Sequence, residues 1–270
     1  MFLSVPKRPS TAAEAIRYHT LTQPMPPIEP SILPLLPVPL PLLPEHPCTY
    51  LPGRLARERA FRAGRVPPAD YQQLMDRGMR RTGDIFYAPD CAACGACVPI
   101  RIPVDGFTPS RSQRRVTHRN HDITLAVGPL ECSRESFELY QRYLAAQHPD
   151  SAATTTYDSF RESLYESAVD TIELRYLLGA QTVAISIIDV CPESLSSVYH
   201  FFDPEHAARS LGVYSVLAEI DLARRLGLRW YYLGYWIANA PTMAYKANYH
   251  PHELLVDGRW GSPCPATLGG

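Results

Sequence analysis

The chain has 270 residues, of which 46% are hydrophobic and 20% are charged, so it can bury a core in one large domain or two closely packed smaller ones. A formal net charge of −1 excludes a global basic field, and any contact with RNA must therefore come from a local patch. The sequence has neither an apolar run of membrane-spanning length nor a secretory signal pattern, which predicts a cytoplasmic protein without a membrane partner.

The first segment, residues 1–47, is rich in proline and holds twelve of the 27 prolines. Proline removes amide donors and fixes φ, so we predict an extended or disordered segment rather than a helix or an interior strand. It could be a ligand for a proline-recognising module, or a strap on the protein's own surface. The composition favours the strap.

Residues 48–125 are predicted to form a cysteine-containing region. Cys91, Cys94 and Cys97 are separated by two residues each, a spacing that lets thiolates converge on one metal ion. Cys48 is the natural candidate for the fourth ligand, and the four thiols would suit zinc or an iron–sulfur cluster. The alternative is a group of reduced, buried cysteines that bind nothing.

The same region ends in a basic, polar segment at 108–127. Arg111, Arg114 and Arg115 lie within five residues, and guanidinium groups match the geometry of phosphate. We therefore take these three arginines as candidates for binding a tRNA backbone or an acidic substrate. A solvated face paired with the protein's own acids is an equally weighted alternative.

Residues 126–262 alternate between apolar strand patterns and helical periodicity, and residues 263–270 form a tail. The pattern predicts a mixed α/β (α+β) fold. Over the whole chain we predict helices over 68–77, 133–147 and 209–226, strands over 173–177, 182–190, 196–202 and 230–233, and a short helix around residues 243–246.

A turn before the helix at 209–226 contains Arg209 and Gly212. Glycine there would let backbone amides at the helix N-terminus approach a phosphate closely. The pattern resembles the phosphate-binding turn of GNAT acyltransferases, although Tyr214 replaces the small residue that coenzyme A requires. A simple helix start capped by Ser210 is the alternative.

The strand at 230–233 continues into an aromatic segment with Gly234 inside it. Glycine in a strand suggests a bulge or a close approach to a ligand. Tyr235, Trp236, Tyr245 and Lys246 lie near predicted turns, so we take them as candidates for a substrate pocket rather than core.

Together these segments resemble the arginyl-tRNA–protein transferase family, and most closely its bacterial aspartate/glutamate leucyltransferase branch. The resemblance implies a GNAT-like C-terminal region, an aminoacyl-tRNA donor, protein acceptors with acidic N-terminal residues, and a role in the N-degron pathway. The matching stretches are CTYLPGR at 48–54, YAPDCAACGACVP at 87–99, RSQRR at 111–115, SSVYHFFDP at 196–204, SLGVY at 210–214, YLGYWI at 232–237 and MAYKA at 243–247.

Transfer of an activated aminoacyl ester to an α-amine requires no cofactor for its chemistry, and much of the rate can come from holding the reactants together. We predict that Glu173 orients or deprotonates the amine, that Ser196, Tyr235 or Tyr245 donates hydrogen bonds, and that Lys246 meets an acidic acceptor side chain. The donor amino acid is leucine or arginine. The competing functions are a coenzyme A-dependent GNAT acetyltransferase and a non-catalytic, metal-containing tRNA-binding module.

Overall fold

The computed structural model describes residues 40–263, so most of the proline-rich segment and the tail from 264 lie outside the described residues. The longer helices are α1 Pro68–Asp76, α2 Arg111–Arg119, α3 Arg134–Gln147 and α4 Leu211–Arg225, with short helical turns at Pro149–Ala152, Tyr157–Phe160, Arg161–Tyr165, Pro204–Arg209, Pro241–Ala244 and Tyr245–Asn248. The strands are β1 His46–Pro47, β2 Leu55–Ala56, β3 Glu58–Arg62, β4 Arg80–Thr82, β5 Ile85–Pro89, β6 Val98–Pro103, β7 Ile123–Pro129, β8 Thr171–Leu178, β9 Gln181–Val190, β10 Ser194–Phe202, β11 Trp230–Trp236, β12 Glu253–Val256 and β13 Arg259–Gly261.

An eight-stranded sheet in the order β13-β12-β6-β11-β10-β9-β8-β7 forms the centre of the molecule. Its neighbours are antiparallel except for β10 and β11, which run parallel. A parallel pair needs a crossover connection, and α4 supplies it on one face of the sheet. Its apolar side packs onto the core that includes Leu195, Tyr231 and Leu233. The predicted α/β fold class is confirmed.

A smaller sheet in the order β3-β5-β4 packs with α1 against the other face of the large sheet. Phe61, Tyr71 and Phe86 share one buried cluster with Trp230 and Tyr232 of β11. The cysteine-containing region and the C-terminal region therefore have a common core. Strand β6 pairs directly with β11, and β7 runs through the predicted boundary at 125, because both strands complete the large sheet.

A fully buried ion pair also connects the two sheets. Arg81 of β4 donates from Nε to Asp189 Oδ2 at 2.8 Å, and both side chains have no exposed surface. Thr171 accepts a hydrogen bond from Arg81 at 2.9 Å and donates to the same carboxylate at 2.8 Å. We call Arg81 and Asp189 the intersheet ion pair.

The parallel strands β10 and β11 separate after a short contact. Their pairing ends at Ser196 opposite Tyr232, and both strands are irregular beyond that point. Gly234 has φ of +83°, a left-handed conformation that glycine adopts without steric cost. We call the resulting opening between the strands the strand split.

The predicted helices and strands of residues 68–77 and 133–233 are confirmed within a few residues at their ends. Helix α2 and strands β1–β7, β12 and β13 were not predicted. Helix α2 presents charged side chains over most of its surface and lacks an apolar period. Its capping box of Ser110 and Gln113 was the available signal. Across residues 40–263, no helix is both long and apolar enough to cross a membrane.

Candidate active site

Arg80 defines one side of the strand split. It precedes Arg81 in β4 and its side chain is 8% exposed. Its guanidinium donates to Ser196 Oγ at 2.8 Å and to the backbone carbonyl of Ser197. Both acceptors lie on β10 at the point where β11 leaves it, so Arg80 is fixed at the edge of the opening.

Lys246 defines the opposite side. It lies in the helical turn Tyr245–Asn248, is 9% exposed, and donates from Nζ to the carbonyl of Tyr235 on β11 at 3.0 Å. A Cβ atom added at Gly234 would lie 3.4 Å from Lys246 Nζ and 3.9 Å from Arg80 Nε. The two cationic groups therefore converge on Gly234, where a side chain would crowd them.

The two cations have no anionic partner within the part of the chain that the structure describes. Their hydrogen bonds go to a hydroxyl and to backbone carbonyls. Burial and the nearby charge of Arg80 lower the pKa of Lys246 to about 7. Two buried positive groups that repel one another form a site suited to a carboxylate. We call Arg80 and Lys246 the cation pair.

Four predicted site residues lie at or beside this opening. Ser196 is fully buried and holds Arg80, and Lys246 was itself predicted to bind substrate. The Tyr235 hydroxyl donates to the carbonyl of Gly78 at 2.8 Å, so it attaches β11 to the turn between α1 and β4. Tyr245 is 39% exposed beside the same turn and contacts the ring of Tyr249 edge-on. Of these hydroxyls, that of Tyr245 lies on the most exposed side chain.

The structure does not bring Glu173 to the strand split. It lies on β8, which is separated from β10 by the whole of β9. Its carboxylate is buried and paired with Arg175 on the same strand, and burial raises its pKa. Trp236 also faces away from the cation pair, into the core on the α4 side, where its indole nitrogen has no hydrogen-bond partner.

The start of α4 differs from the predicted phosphate turn. Arg209 makes two hydrogen bonds to Asp122, at 2.8 and 2.9 Å, so its guanidinium is already paired. Ser210 occupies the N-cap position with φ of +58° and makes no side-chain capping bond. The alternative of a helix start capped by the Ser210 side chain is therefore wrong, while Gly212 leaves open space beside the first turn.

Helix α2 lies beside this turn and presents three of the predicted arginines to solvent. Arg111, Arg114 and Arg115 are exposed, and none of them makes an ion pair with a described residue. Gln113, on the buried side of the helix, donates to the carbonyl of Asn248 at 3.2 Å. The basic helix is therefore attached to the turn that carries Lys246.

The four predicted metal-ligating cysteines line one partly open cavity of about 80 Å³. Tyr235 also lines it, so the cavity adjoins the strand split. The remaining polar lining includes His46 and Glu58, a buried pair 3.0 Å apart in which the hydrogen bond raises the pKa of His46. The cysteines are Cys48, Cys91, Cys94 and Cys97.

These cysteines make separate contacts. Cys94 accepts a hydrogen bond from Arg54 at 3.3 Å, Cys48 accepts one from the amide of Leu51 at 3.4 Å, and burial raises the pKa of Cys97 to about 12. Within residues 40–263, no three ligating side chains are placed to hold one ion. Metal binding therefore stays a prediction.

Arg80 is a site residue that the sequence pattern alone does not reveal, because adjacent arginines usually mark an exposed surface. The available signal was its position between the end of α1 and a strand of apolar residues. Only the tertiary fold brings residue 80 to residues 196 and 246, which are more than a hundred positions away along the chain.

Comparison with known proteins places the chain among aminoacyltransferases. Residues 46–115 match the family model described as arginine-tRNA-protein transferase, N terminus, and residues 135–256 match the one described as its C terminus. The aspartate/glutamate leucyltransferase of Thiobacillus denitrificans is 41% identical over 80% of this chain and 91% of its own length. The enzyme of the same name from Hahella chejuensis is 39% identical over 80% of this chain and 94% of its own length.

Solved structures give more distant likenesses. The C-terminal domain of a putative lysylphosphatidylglycerol synthetase from Agrobacterium fabrum has a TM-score of 0.40 at 14% identity, covering 67% of this chain and 55% of that one. FemX has a TM-score of 0.40 at 10% identity, covering 61% of this chain and 59% of that one. The sequence matches confirm the predicted family: the chain belongs to the arginine-tRNA-protein transferase family, in the branch of the bacterial aspartate/glutamate leucyltransferases.

Proposed function

We propose that this aminoacyltransferase moves leucine from leucyl-tRNA to the N-terminal α-amine of proteins that begin with Asp or Glu. The observation that carries the proposal is the cation pair, Arg80 and Lys246, at the strand split. A buried cation without an anion costs stability, and a substrate carboxylate would supply the missing partner. The names of the relatives, which specify aspartate and glutamate, agree with this chemistry.

On the acceptor side, the carboxylate of the first residue would lie between the two cations, close to Gly234. Lys246 comes from the turn Tyr245–Asn248 and Arg80 from β4, and hydrogen bonds fix them to β11 and β10 respectively. A fixed pair of donors can hold a carboxylate in one orientation. The α-carbon that bears the amine is separated from the carboxylate carbon by one methylene group in Asp and by two in Glu. Holding the carboxylate would therefore direct the α-amine into the opening.

On the donor side, the exposed arginines of α2 supply contacts for the tRNA backbone. Arg111 and Arg115 extend from a helix whose buried Gln113 contacts the turn carrying Lys246. Phosphate contacts of this kind position a nucleic acid without reading its sequence. The relatives are leucyltransferases, which favours leucine over arginine as the amino acid transferred.

The reaction is aminolysis of an ester that is already activated. The amine nitrogen forms a bond to the aminoacyl carbonyl carbon, the bond to the ribose oxygen breaks, and that oxygen receives a proton. Binding both substrates at one opening can lower the activation barrier by roughly 7–11 kcal/mol at best, because the reacting groups no longer have to meet by diffusion. In this proposal the main task of the cation pair is to position the acceptor.

The decisive test supplies leucyl-tRNA and arginyl-tRNA separately, each with peptides that begin with Asp, Glu, Arg or Lys, and identifies products by mass. We expect one leucine added to the Asp and Glu peptides. Addition of arginine to the acidic peptides would show that leucine is the wrong donor amino acid, while the acceptor assignment would still hold. Labelling of the basic peptides, or no labelling of any peptide, would contradict the proposal.

A further inference from the structure

Glu219 is a carboxyl group enclosed in the core directly beside the strand split. It lies on the face of α4 that packs on the large sheet and has no exposed surface. Tyr231 of β11 donates to its Oε2 at 2.7 Å, while Oε1 has no hydrogen-bond partner of good geometry. Tyr231 pairs with Leu195, one residue before the last contact between β10 and β11.

Hydroxyl groups surround this carboxyl. Those of Ser186, Ser197 and Tyr176 lie close enough to lower the pKa of Glu219 through hydrogen bonding. The chain of polar contacts extends from Ser186, which is 2.9 Å from Nδ1 of His200. A carboxyl in an apolar core with several adjustable hydroxyls can gain or lose a proton without major rearrangement of its surroundings.

Ser197 links the enclosed carboxyl to the substrate opening. It is the first residue of β10 beyond the last pairing with β11, and it is only partly buried. Its backbone carbonyl accepts a hydrogen bond from Arg80, and its side chain lies near Glu219 and Tyr231. One residue therefore contacts the cation pair on one side and the carboxyl network on the other.

The groups around Glu219 are neutral over most of the pH range. The titratable neighbours from β8, β11 and the turn before β12 are tyrosines, and burial keeps His200 of β10 neutral by lowering its pKa to about 3. None of these neighbours carries a positive charge that would hold the carboxylate ionised. The tyrosines are Tyr176, Tyr231, Tyr245 and Tyr249.

We propose that Glu219, acting through the Ser197 hydroxyl, is the positioning residue that holds and returns the proton exchanged during aminoacyl transfer. As the amine attacks, its proton passes to the Ser197 oxygen and the Ser197 proton passes to the Glu219 carboxylate. As the ester bond breaks, the same two transfers run in reverse and deliver one proton to the ribose oxygen. No redox step or external reactant is needed.

This inference rests on the proposed transfer reaction and adds a predicted pH signature to it. Burial raises the pKa of Glu219 to about 7. The carboxylate form must be present to accept a proton, so the transfer rate should fall as pH decreases through about 7. A residue with an optimal pKa near the working pH is the usual choice for proton transfer.

The test measures single-turnover rates with saturating leucyl-tRNA and a peptide beginning with Asp, from pH 5.5 to 8.5. We expect Glu219→Gln to lower the rate roughly 100-fold, since positioned proton transfer contributes about 10²–10⁴. The variant should also lose the part of the acid limb that Glu219 contributes, and keep only the part due to titration of the peptide amine, which is the same in both proteins. Tyr231→Phe should keep the carboxyl but move the acid limb to higher pH, because it removes a hydrogen bond that lowers the pKa. Asp221→Asn, an exposed carboxyl on the same helix, is the matched control and should leave the profile unchanged.

Several outcomes would separate the possibilities. If Glu219→Gln keeps the wild-type acid limb, or if it and Tyr231→Phe both lower the rate by one constant factor at all pH values, the inference is wrong and the network is structural. If Glu219→Gln fails to fold, Glu219→Asp and Tyr231→Phe decide the question through the position of the same limb. If the wild-type protein labels no acidic peptide, the proposed function itself fails.

Discussion

Two adjacent arginines in β4 are both buried, but they have different surroundings. Arg81 forms the intersheet ion pair with Asp189, and Thr171 and the carbonyl of Gly83 accept its other hydrogen bonds. Arg80 belongs to the cation pair at the strand split, where it meets Lys246 and no carboxylate of a described residue. The charge of Arg81 is therefore balanced by a carboxylate of the protein, whereas the charge of Arg80 is not balanced by any described residue.

The difference indicates which site serves the fold and which serves a substrate. Taking a charge out of water costs several kcal/mol unless a partner is present. At the intersheet ion pair the protein supplies that partner itself. At the cation pair it does not, and uncompensated groups of this kind concentrate where a ligand completes the arrangement.

Removing Arg81 should have the largest effect on the fold. Arg81→Met leaves Asp189 buried and unpaired, so we expect the free energy of unfolding to fall by about 3–5 kcal/mol. Urea denaturation checks this value. The double variant Arg81→Met, Asp189→Leu should recover most of the loss, because the uncompensated charge is gone. A loss below about 1 kcal/mol for the single variant would show that the two sites do not differ as argued.

The charge of Lys246 should make binding of the acceptor peptide depend on pH. Because the pKa of Lys246 is lowered to about 7, its charge is lost above that pH, and KM for a peptide beginning with Asp should rise there. The rise can reach about tenfold per pH unit. Lys246→Arg keeps the positive charge and should remove this dependence, while titration of the peptide amine stays the same in both proteins. Identical KM profiles for the two proteins would contradict the role of Lys246.

Removing Lys246 should affect stability in the opposite direction from removing Arg81. A lysine whose folded pKa lies below its unfolded value of 10.5 destabilises the fold at low pH, and this cost is relieved as pH rises from 7 toward 10.5. Lys246→Met should therefore be more stable than wild type at pH 6, by on the order of 1 kcal/mol or more. Unfolding curves of both proteins at pH 6 and pH 9 measure the difference in their free energies of unfolding. A variant less stable than wild type at pH 6 would contradict the prediction.

The basic helix should produce the smallest of these effects. Replacing Arg111 and Arg115 by Ala should weaken tRNA binding and reduce the dependence of log K on log salt by roughly one unit for each phosphate that the protein no longer neutralises. Acceptor KM should not change, since these side chains are exposed and neither belongs to the cation pair. The measurement is tRNA binding between about 50 and 200 mM salt. If the slope of log K against log salt is unchanged in the variant, α2 is not part of the surface that binds tRNA.

Much of the fold was predictable, because apolar periodicity is strong where the core is. Strand β9, with a nearly continuous apolar run, and helix α3 were predicted within a few residues. Helix α2 was not predicted, because its surface is charged and its buried residue is Gln113. Lys246, Ser196 and Tyr235 were predicted as site residues, and the structure brings them together at the strand split.

The remaining site residues depend on tertiary structure. Glu173 was chosen as an acid in a strand, but the register of β8 and β9 places it away from the opening. Glu219 follows the helical spacing of the buried face from Ser215, so its burial could have been inferred, but its position beside the strand split could not. Arg80 and Arg81 cannot be distinguished until the partners of each are known.

The claim that the cation pair recognises the acceptor carboxylate is tested most directly by comparing otherwise identical peptides that begin with Asp and with Asn. The measurement is the ratio of their kcat/KM values, with leucyl-tRNA as donor, for wild type and for Lys246→Met. Losing one member of a buried charge contact costs about 2–5 kcal/mol, so the ratio should fall roughly 30-fold or more in the variant. A variant with reduced activity on both peptides but an unchanged ratio would contradict the account.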